Sequence, residues 1–320
     1  MHRLFHPPVA LGTLHDRLET ARRRQRDEIH PATELALEED TGLLRTPGGR
    51  HRLQPQARRL LAQRLRIPDS YLGRCPHPLA AANVNHFLHR SPSRRFLLRL
   101  EQGEVRAVLS DRYQAVDHPE LTRRLLEVVP ESTPVRYELS ASLMVVQLLP
   151  RESQHAGHGH DLFGGITVSN SETGFAVVGL SAMVFRVICL NGLVLGGGAS
   201  GLRRRHTRDA AETLREFQRR AREAWSDAGD SPDRFHAMRR IHVPQPEAAL
   251  KRLEERHQLT AELAKEVESA FAVEPGDTMF DLINAFTRAG NAPNLLLEDR
   301  ARLQELGGRI LDGAERGKWL

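Results

Sequence analysis

The sequence predicts an α+β fold: a twisted antiparallel sheet crossed by a helix, with a helical cap before it and a helical tail after it. Three observations carry that expectation. Phe96 to Leu100 and Val105 to Leu109 are strand-like runs flanking a turn that contains Gly103. Residues 164–201 form an apolar, β-branched stretch interrupted only by small polar groups, as the core of a sheet would be. From Thr207 onward the apolar residues recur at helical spacing to the end of the chain.

The elements follow in order. Residues 13–29 lack a sustained apolar stripe and run into the acidic LALEED at 35–40, so residues 1–45 read as a mobile or peripheral helical arm. TPGG at 46–49 breaks the chain. Pro55 then opens a helix with Ala57, Leu60, Leu61 and Leu65 on one side, ending before Pro68, and Ser70–Leu72 and Pro78–Leu88 read as two further short helices. After the hairpin, HPELTRRLLEVV at 118–129 carries an early proline and places Leu121, Leu125, Leu126 and Val129 on one face. Val135 to Leu149 reads as one long strand, HAGHGHD as a loop, and two long strands joined by the polar SNSETG at 169–174 complete the sheet. Residues 207–225 keep Ala211, Leu214, Phe217, Ala221 and Trp225 in helical register. An α+β core over 46–240 and a helical tail over 241–320 follow from this order.

Composition is globular, and 320 residues suffice to bury a core without metals or disulfides. No apolar run reaches the length of a membrane helix, no secretory leader follows Met1, and the only cysteines are Cys75 and Cys189. These point to a cytoplasmic protein with no membrane partner. The net charge is +5, but it is unevenly placed. Residues 45–74 hold eight arginines against one acid and residues 203–222 eight against three, leaving the rest of the chain net negative. Clustered arginine points either to an anionic partner, nucleic acid being the commonest, or to two solvated helix faces.

Chemistry could sit in several places. Asn170, Ser171, Glu172 and Thr173 suit a tight turn in which Gly174 takes positive φ. Arg186 and Asn191 interrupt an otherwise apolar run, and Glu172 is the acceptor expected for Arg186. Cys189 among branched apolar residues reads as inert core. His155, His158, His160 and Asp161 are metal-type ligands on a glycine-rich loop without further ligands, and read as surface. Neither a metal nor a cofactor is expected. Gly196 to Gly198 and Gly201 precede Arg203, Arg204, Arg205, His206 and Arg208, a flexible exit into an arginine cluster that suits a nucleic-acid backbone better than nucleotide hydrolysis. Residues 57–72 have some helix-turn-helix character, although Arg66 stands where the turn glycine is expected. Tyr71, Tyr113, Tyr137, Phe87 and Phe175 could stack on bases or serve as core.

Taken together, RLQPQARRLLAQRLRIPDSYL at 52–72, VRAVLSDRYQAVDHPEL at 105–121, GGITVSNSETG at 164–174, and FRVICLNGLV at 185–194 followed by RRRH at 203–206 resemble the DUF932 family. That family groups phage- and plasmid-like proteins of unknown function. The resemblance covers roughly residues 50–240. It places Arg106, Ser110, Tyr113, Asn170, Ser171, Glu172, Gly174, Arg186, Cys189, Asn191, Gly192 and His206 on characteristic positions. It implies a mobile-element setting, in which small basic α+β proteins often bind or anneal single-stranded DNA as oligomers, and the element order is similar in outline to Rad52-like annealing proteins. The expectation is a non-enzymatic, homo-oligomeric single-stranded DNA-binding or annealing protein acting in recombination or replication. Arg203, Arg204, Arg205, Arg208, Arg219 and Arg220 would contact phosphate, Arg58, Arg59 and Arg64 would form a second surface, and Arg106, Tyr113, Arg186 and Asn191 a sheet-side wall. Two alternatives stay open: an enzyme using Asn170, Glu172, Arg186, Asn191 and His206 on a nucleotide or nucleic acid, and a protein-interaction module working through the helical tail.

Overall fold

A computed structural model describes residues 8–150, 162–186, 191–194, 201–206, 209–228 and 231–319. Val9–Ala10 (β1) leads into Leu11–Arg22 (α1) and Gln25–Pro31 (β2). Three short strands, Ala36–Leu37 (β3), Leu44–Thr46 (β4) and Gly49–His51 (β5), precede the helices Pro55–Leu65 (α2), Asp69–Leu72 (α3) and His77–His89 (α4). The hairpin Arg95–Glu101 (β6) and Glu104–Ser110 (β7) is followed by His118–Leu126 (α5). Pro134–Leu139 (β8), Met144–Leu148 (β9), Leu162–Asn170 (β10), Val178–Arg186 (β11), Asn191–Val194 (β12) and Leu202–Arg204 (β13) continue the chain. Ala210–Asp227 (α6), Ser231–Ala237 (α7), Pro246–Arg256 (α8), Ala261–Val273 (α9), Met279–Ala289 (α10) and Leu297–Glu315 (α11) end it. The fold is α+β, as the sequence predicts. Among the described residues no helix is long and apolar enough to cross a membrane.

The large sheet has the order β1-β8-β9-β10-β11-β12, with β13 also pairing β11, and every pairing in it is antiparallel. One region of it buries Tyr137, Val146, Ile166, Val168 and Leu180 against apolar residues of α1, α5 and α6. Leu162, Val184 and Leu193 instead join the core of the C-terminal helices, with Phe235, Leu253, Ile283, Phe286 and Ile310. A second sheet, β2-β6-β7, carries Phe96, Leu98, Leu100, Val105 and Val108, which pack against Leu61, Leu65, Val84 and Leu88 of α2 and α4. The reason is pattern: alternate residues of β6 reach one face, a register shift opposite Arg99 and Leu100 brings both Val105 and Val108 of β7 to it, and the helical spacing of those leucines and valines offers a matching stripe. Gly164 marks where the sheet is approached most closely. A Cβ there would lie 1.6 Å from the Ala228 carbonyl oxygen, so no other residue lets the end of α6 come so near β10.

Three expectations are corrected. Residues 13–29 are not a peripheral arm. Leu11, Leu14 and Leu18 are buried on a narrow stripe beginning two residues before the window that looked polar, and β2 pairs with β6 from Gln25↔Glu101 to Pro31↔Arg95. Val135 to Leu149 is not one strand but the hairpin β8–β9, because Ser140-Ala-Ser142 reverses the chain and the Ser140 N–H donates to Leu143 O at 2.8 Å. The helix-turn-helix reading also fails, since α3 is a single four-residue turn, too short to lie in a groove.

Candidate nucleic-acid interface

The polar seam comes first, because its geometry limits what it can do. Asn170 ends β10 and Glu172 sits in the turn to β11, where Gly174 takes φ +75° as the sequence predicts. Glu172 is 4% exposed, and both carboxylate oxygens are committed. One accepts from the Arg106 guanidinium, the other from the backbone N–H of His118 at 2.7 Å. Burial alone would raise its pKa, but the charge beside it and those two hydrogen bonds hold the carboxyl at about 2. His118, when protonated, and Arg106 both favour the ionised carboxylate, and because burial lowers the His118 pKa the charge that remains beside it at neutral pH is that of Arg106.

Next to it lies Arg99, 1% exposed, with every arm of its guanidinium engaged. It donates to Asp27 at 3.0 Å, to the Glu172 carbonyl at 2.9 Å and to Asp117 at 2.5 Å. Asp117 also accepts from Arg22 at 2.7 Å while capping α5 in a box with Glu120. Asn170 donates to Val116 O at 2.9 Å and lies 3.0 Å from His118 Nδ1, and the Tyr113 hydroxyl donates to Ser171 O at 3.0 Å. Tyr113 stacks on His206 with ring centroids 4.9 Å apart. Burial lowers the His206 pKa to about 4.

This network binds the β10–β11 turn to β2, β6, β7, α1 and α5. A cleft of about 240 Å³ opens on it, lined by Arg22, Arg106, His118, Glu172 and Ser142 among others. A carboxylate at about 2 with both oxygens occupied is a poor proton acceptor at neutral pH, and the arrangement is that of a clasp. Two members of the expected pocket do not join it. Arg186 pairs with Glu274 at 3.2 Å and reaches Asn284, not Glu172. The reason is distance along the strand: Arg186 is at the far end of β11, eight residues or about 27 Å from the turn. Of Asn191 only the backbone is described, paired with Arg186. Cys189, Arg208, the 155–161 histidine loop and Gly196 to Gly198 lie outside the described residues. Among the described residues no group of three or more His, Cys, Asp or Glu could hold a metal ion.

The RRRH run does not make one patch. Arg203 and Arg204 are neighbours on β13 and therefore point to opposite faces: Arg203 meets Glu305 of α11 at 3.5 Å, whereas Arg204 forms a two-pronged pair with Glu216 of α6 at 2.6 and 2.7 Å. Arg205 is exposed. Arg219 and Arg220 both pair with Glu223 on their own helix, and Arg58 and Arg59 both lie within 4.0 Å of Asp69.

A different basic site emerges between the end of α2, the start of β6 and the end of β7. A cleft of about 570 Å³ is lined by Arg64, Arg66, Arg94, Arg95 and Arg112, with Asp111 as its one acid. Among the described residues none of these five arginines is in an ion pair. Arg94 donates to the Arg64 carbonyl at 2.7 Å, and burial together with the Arg94 charge lowers the Arg64 pKa. Arg66 caps α2 in the left-handed conformation, φ 60°, where glycine is the usual residue. Of these five, sequence reasoning singled out only Arg64 as a DNA contact and noted Arg66 as an anomaly. The missed signals are the SRR that opens β6 and the DRY that closes β7, which the hairpin brings side by side. Arg99 and Asp117 were missed too, although an arginine inside RFLLRLE and the DxxE capping pattern at 117–120 were legible.

Residues 106–295, more than half the chain, match the family described as Domain of unknown function (DUF932). The chain belongs to the DUF932 family. The DUF932 match takes in the seam from Arg106 to His206 and most of the C-terminal helices, while the 52–72 motif and four of the five cleft arginines precede it. The helical tail to residue 295 is thus part of what this chain shares with DUF932, not peculiar to it. No curated protein and no solved structure matches the chain.

Proposed function

We propose that this DUF932 protein is a non-enzymatic single-stranded DNA-binding protein, homo-oligomeric and acting in recombination or replication, whose phosphate-contacting surface centres on Arg64, Arg66, Arg94, Arg95 and Arg112. The observation that supports this reading is the set of five arginines facing one cleft without a carboxylate partner. Holding like charges together is unfavourable in the free protein, and an entering polyanion relieves it. Arg203, Arg204, Arg58, Arg59, Arg219 and Arg220 are paired with Glu305, Glu216, Asp69 and Glu223 and offer secondary contacts. The saturated seam supports a structural role for Glu172 over a catalytic one.

Fluorescence anisotropy with a labelled poly-dT oligonucleotide, titrated at stepped salt, tests the proposal. Affinity is expected to fall steeply with salt, the logarithmic slope being about −0.7 per phosphate contacted. The variants Arg94→Glu and Arg112→Glu are expected to weaken binding by more than tenfold. Absence of binding, or binding indifferent to salt and to these variants, refutes it. Mass measurement of the DNA-free protein tests the oligomer.

A further inference from the structure

We infer that Phe175, beside the arginine cleft, and Phe87, on the helix that leads into it, stack on bases, so that the site selects single-stranded over duplex nucleic acid. This rests on the phosphate-binding reading above and adds what recognises the bases.

Gly174 lines the arginine cleft along with Ser110, Asp111 and Arg112, and the next residue, Phe175, is 52% exposed. Half of that ring is open to solvent and so offers a face on which a base can stack. The turn that presents it is rigid. The Phe175 N–H donates to Ser171 Oγ at 2.9 Å, the Ser171 carbonyl accepts from Tyr113, and a Cβ on Gly174 would lie 2.8 Å from Leu109. The backbone that carries the ring is thus already ordered, so little of its freedom is lost on stacking.

The second ring is on α4. Phe87 is 40% exposed and lies on a stripe with Leu79 and Asn83, whose amide donates to the Tyr71 hydroxyl at 3.3 Å. Beyond Phe87 the helix ends at Arg90, and a turn in which the Arg94 N–H donates to Ser91 O at 3.0 Å delivers Arg94 and Arg95 into the cleft. Seven residues separate Phe87 from Arg94, at most about 25 Å even if fully extended. Exposed aromatics and unpaired arginines are the two ingredients of single-strand binding: cations follow the backbone, and rings take bases that a duplex keeps stacked on one another.

The test uses the full chain with a single-stranded oligonucleotide and the duplex of the same sequence. Phe175→Ala and Phe87→Ala are each expected to weaken single-strand binding about 5- to 150-fold, with the salt slope unchanged. Duplex binding is expected to be unaffected, and Phe175→Trp to retain wild-type affinity, which rules out misfolding as the cause. If both alanine variants bind single strands as wild type does while Arg94→Glu does not, the stacking reading is wrong and the cleft stands. If the wild type binds neither nucleic acid, the phosphate-binding reading falls and the stacking reading with it. A change in oligomeric mass without a change in DNA affinity assigns the rings to a protein contact and overturns the inference.

Discussion

Glu172 shows how a residue with the marks of catalysis can be structural. Its carboxylate is ionised, buried and answered by Arg106 and a helix N-terminal N–H. Glu172→Ala leaves the half-buried Arg106 without its closest partner and with only Glu101, at 3.6 Å, beside it, so a loss of about 1.5–3 kcal/mol in unfolding free energy is expected from urea titration. The pH dependence has two windows of one sign. His206 titrates near 4 when folded against an ordinary 6.5, so the unfolded chain binds the extra proton and stability falls as pH drops from about 6.5 to 4. Glu172, held at about 2 against 4.5, extends the loss from about 4.5 down to 2. Burial lowers the His118 pKa as well, so thermal melts of His206→Phe, which keeps a ring against Tyr113, are expected to lose part of the dependence in the upper window and none of it in the lower. Arg66 gives the opposite kind of test. Its left-handed backbone is strained for any residue with a Cβ, so Arg66→Gly should leave stability unchanged or raise it by up to about 1 kcal/mol. The same change is expected to weaken DNA binding. A variant that gained stability and kept full affinity would remove Arg66 from the interface.

At the scale of the element, strand periodicity decides which arginines act together. Consecutive arginines on β13 diverge to α6 and α11, so charge reversal of Arg204 is expected to perturb its Glu216 pair by about 1 kcal/mol or less while affecting DNA affinity less than reversal of Arg94. Arginines far apart in sequence converge because the β6–β7 hairpin returns Ser110 to Phe96. This explains what could and could not be read from the chain. The hairpin, α2, α4, α5 and the β10–β11 turn announce themselves by local pattern, and so does Gly174. Charge density along the sequence, in contrast, named Arg203 to Arg205 as a cluster, because counting residues ignores which face each one takes. The pairing of Glu172 with Arg106 instead of Arg186 depends on β7 meeting the turn, which no local signal reports. Gly164 belongs to this scale too. Gly164→Ala must push α6 off β10 or distort the strand, and circular-dichroism melts are expected to place it among the most destabilising single changes, at about 3 kcal/mol or more.

For the whole molecule, the C-terminal helices and the large sheet share one core, through Leu162, Val184 and Leu193, and ion pairs such as Arg186–Glu274 and Arg300–Glu138 cross between them. The tail is therefore built into the fold, in keeping with the DUF932 match that runs to residue 295. The seam joins the two larger sheets in turn, so loosening it at Arg99 is expected to release both. Arg99→Met should abolish cooperative unfolding of the two sheets as one transition, a change that near- and far-ultraviolet circular dichroism would register as separated midpoints.

The early part of the chain enters both sheets: β1 closes the edge of the large one by pairing Val9 with Val135, and β2 closes the edge of the smaller by pairing with β6. During synthesis the ribosome must add the stretch from Val9 to Val135 before that first pairing is possible, on the order of ten seconds at ordinary elongation rates. For that interval β1 is a strand donor without an acceptor, whereas β2 meets its partner β6 earlier. Molecules emerging side by side on one message could exchange β1, giving a route to swapped assemblies that begins at translation.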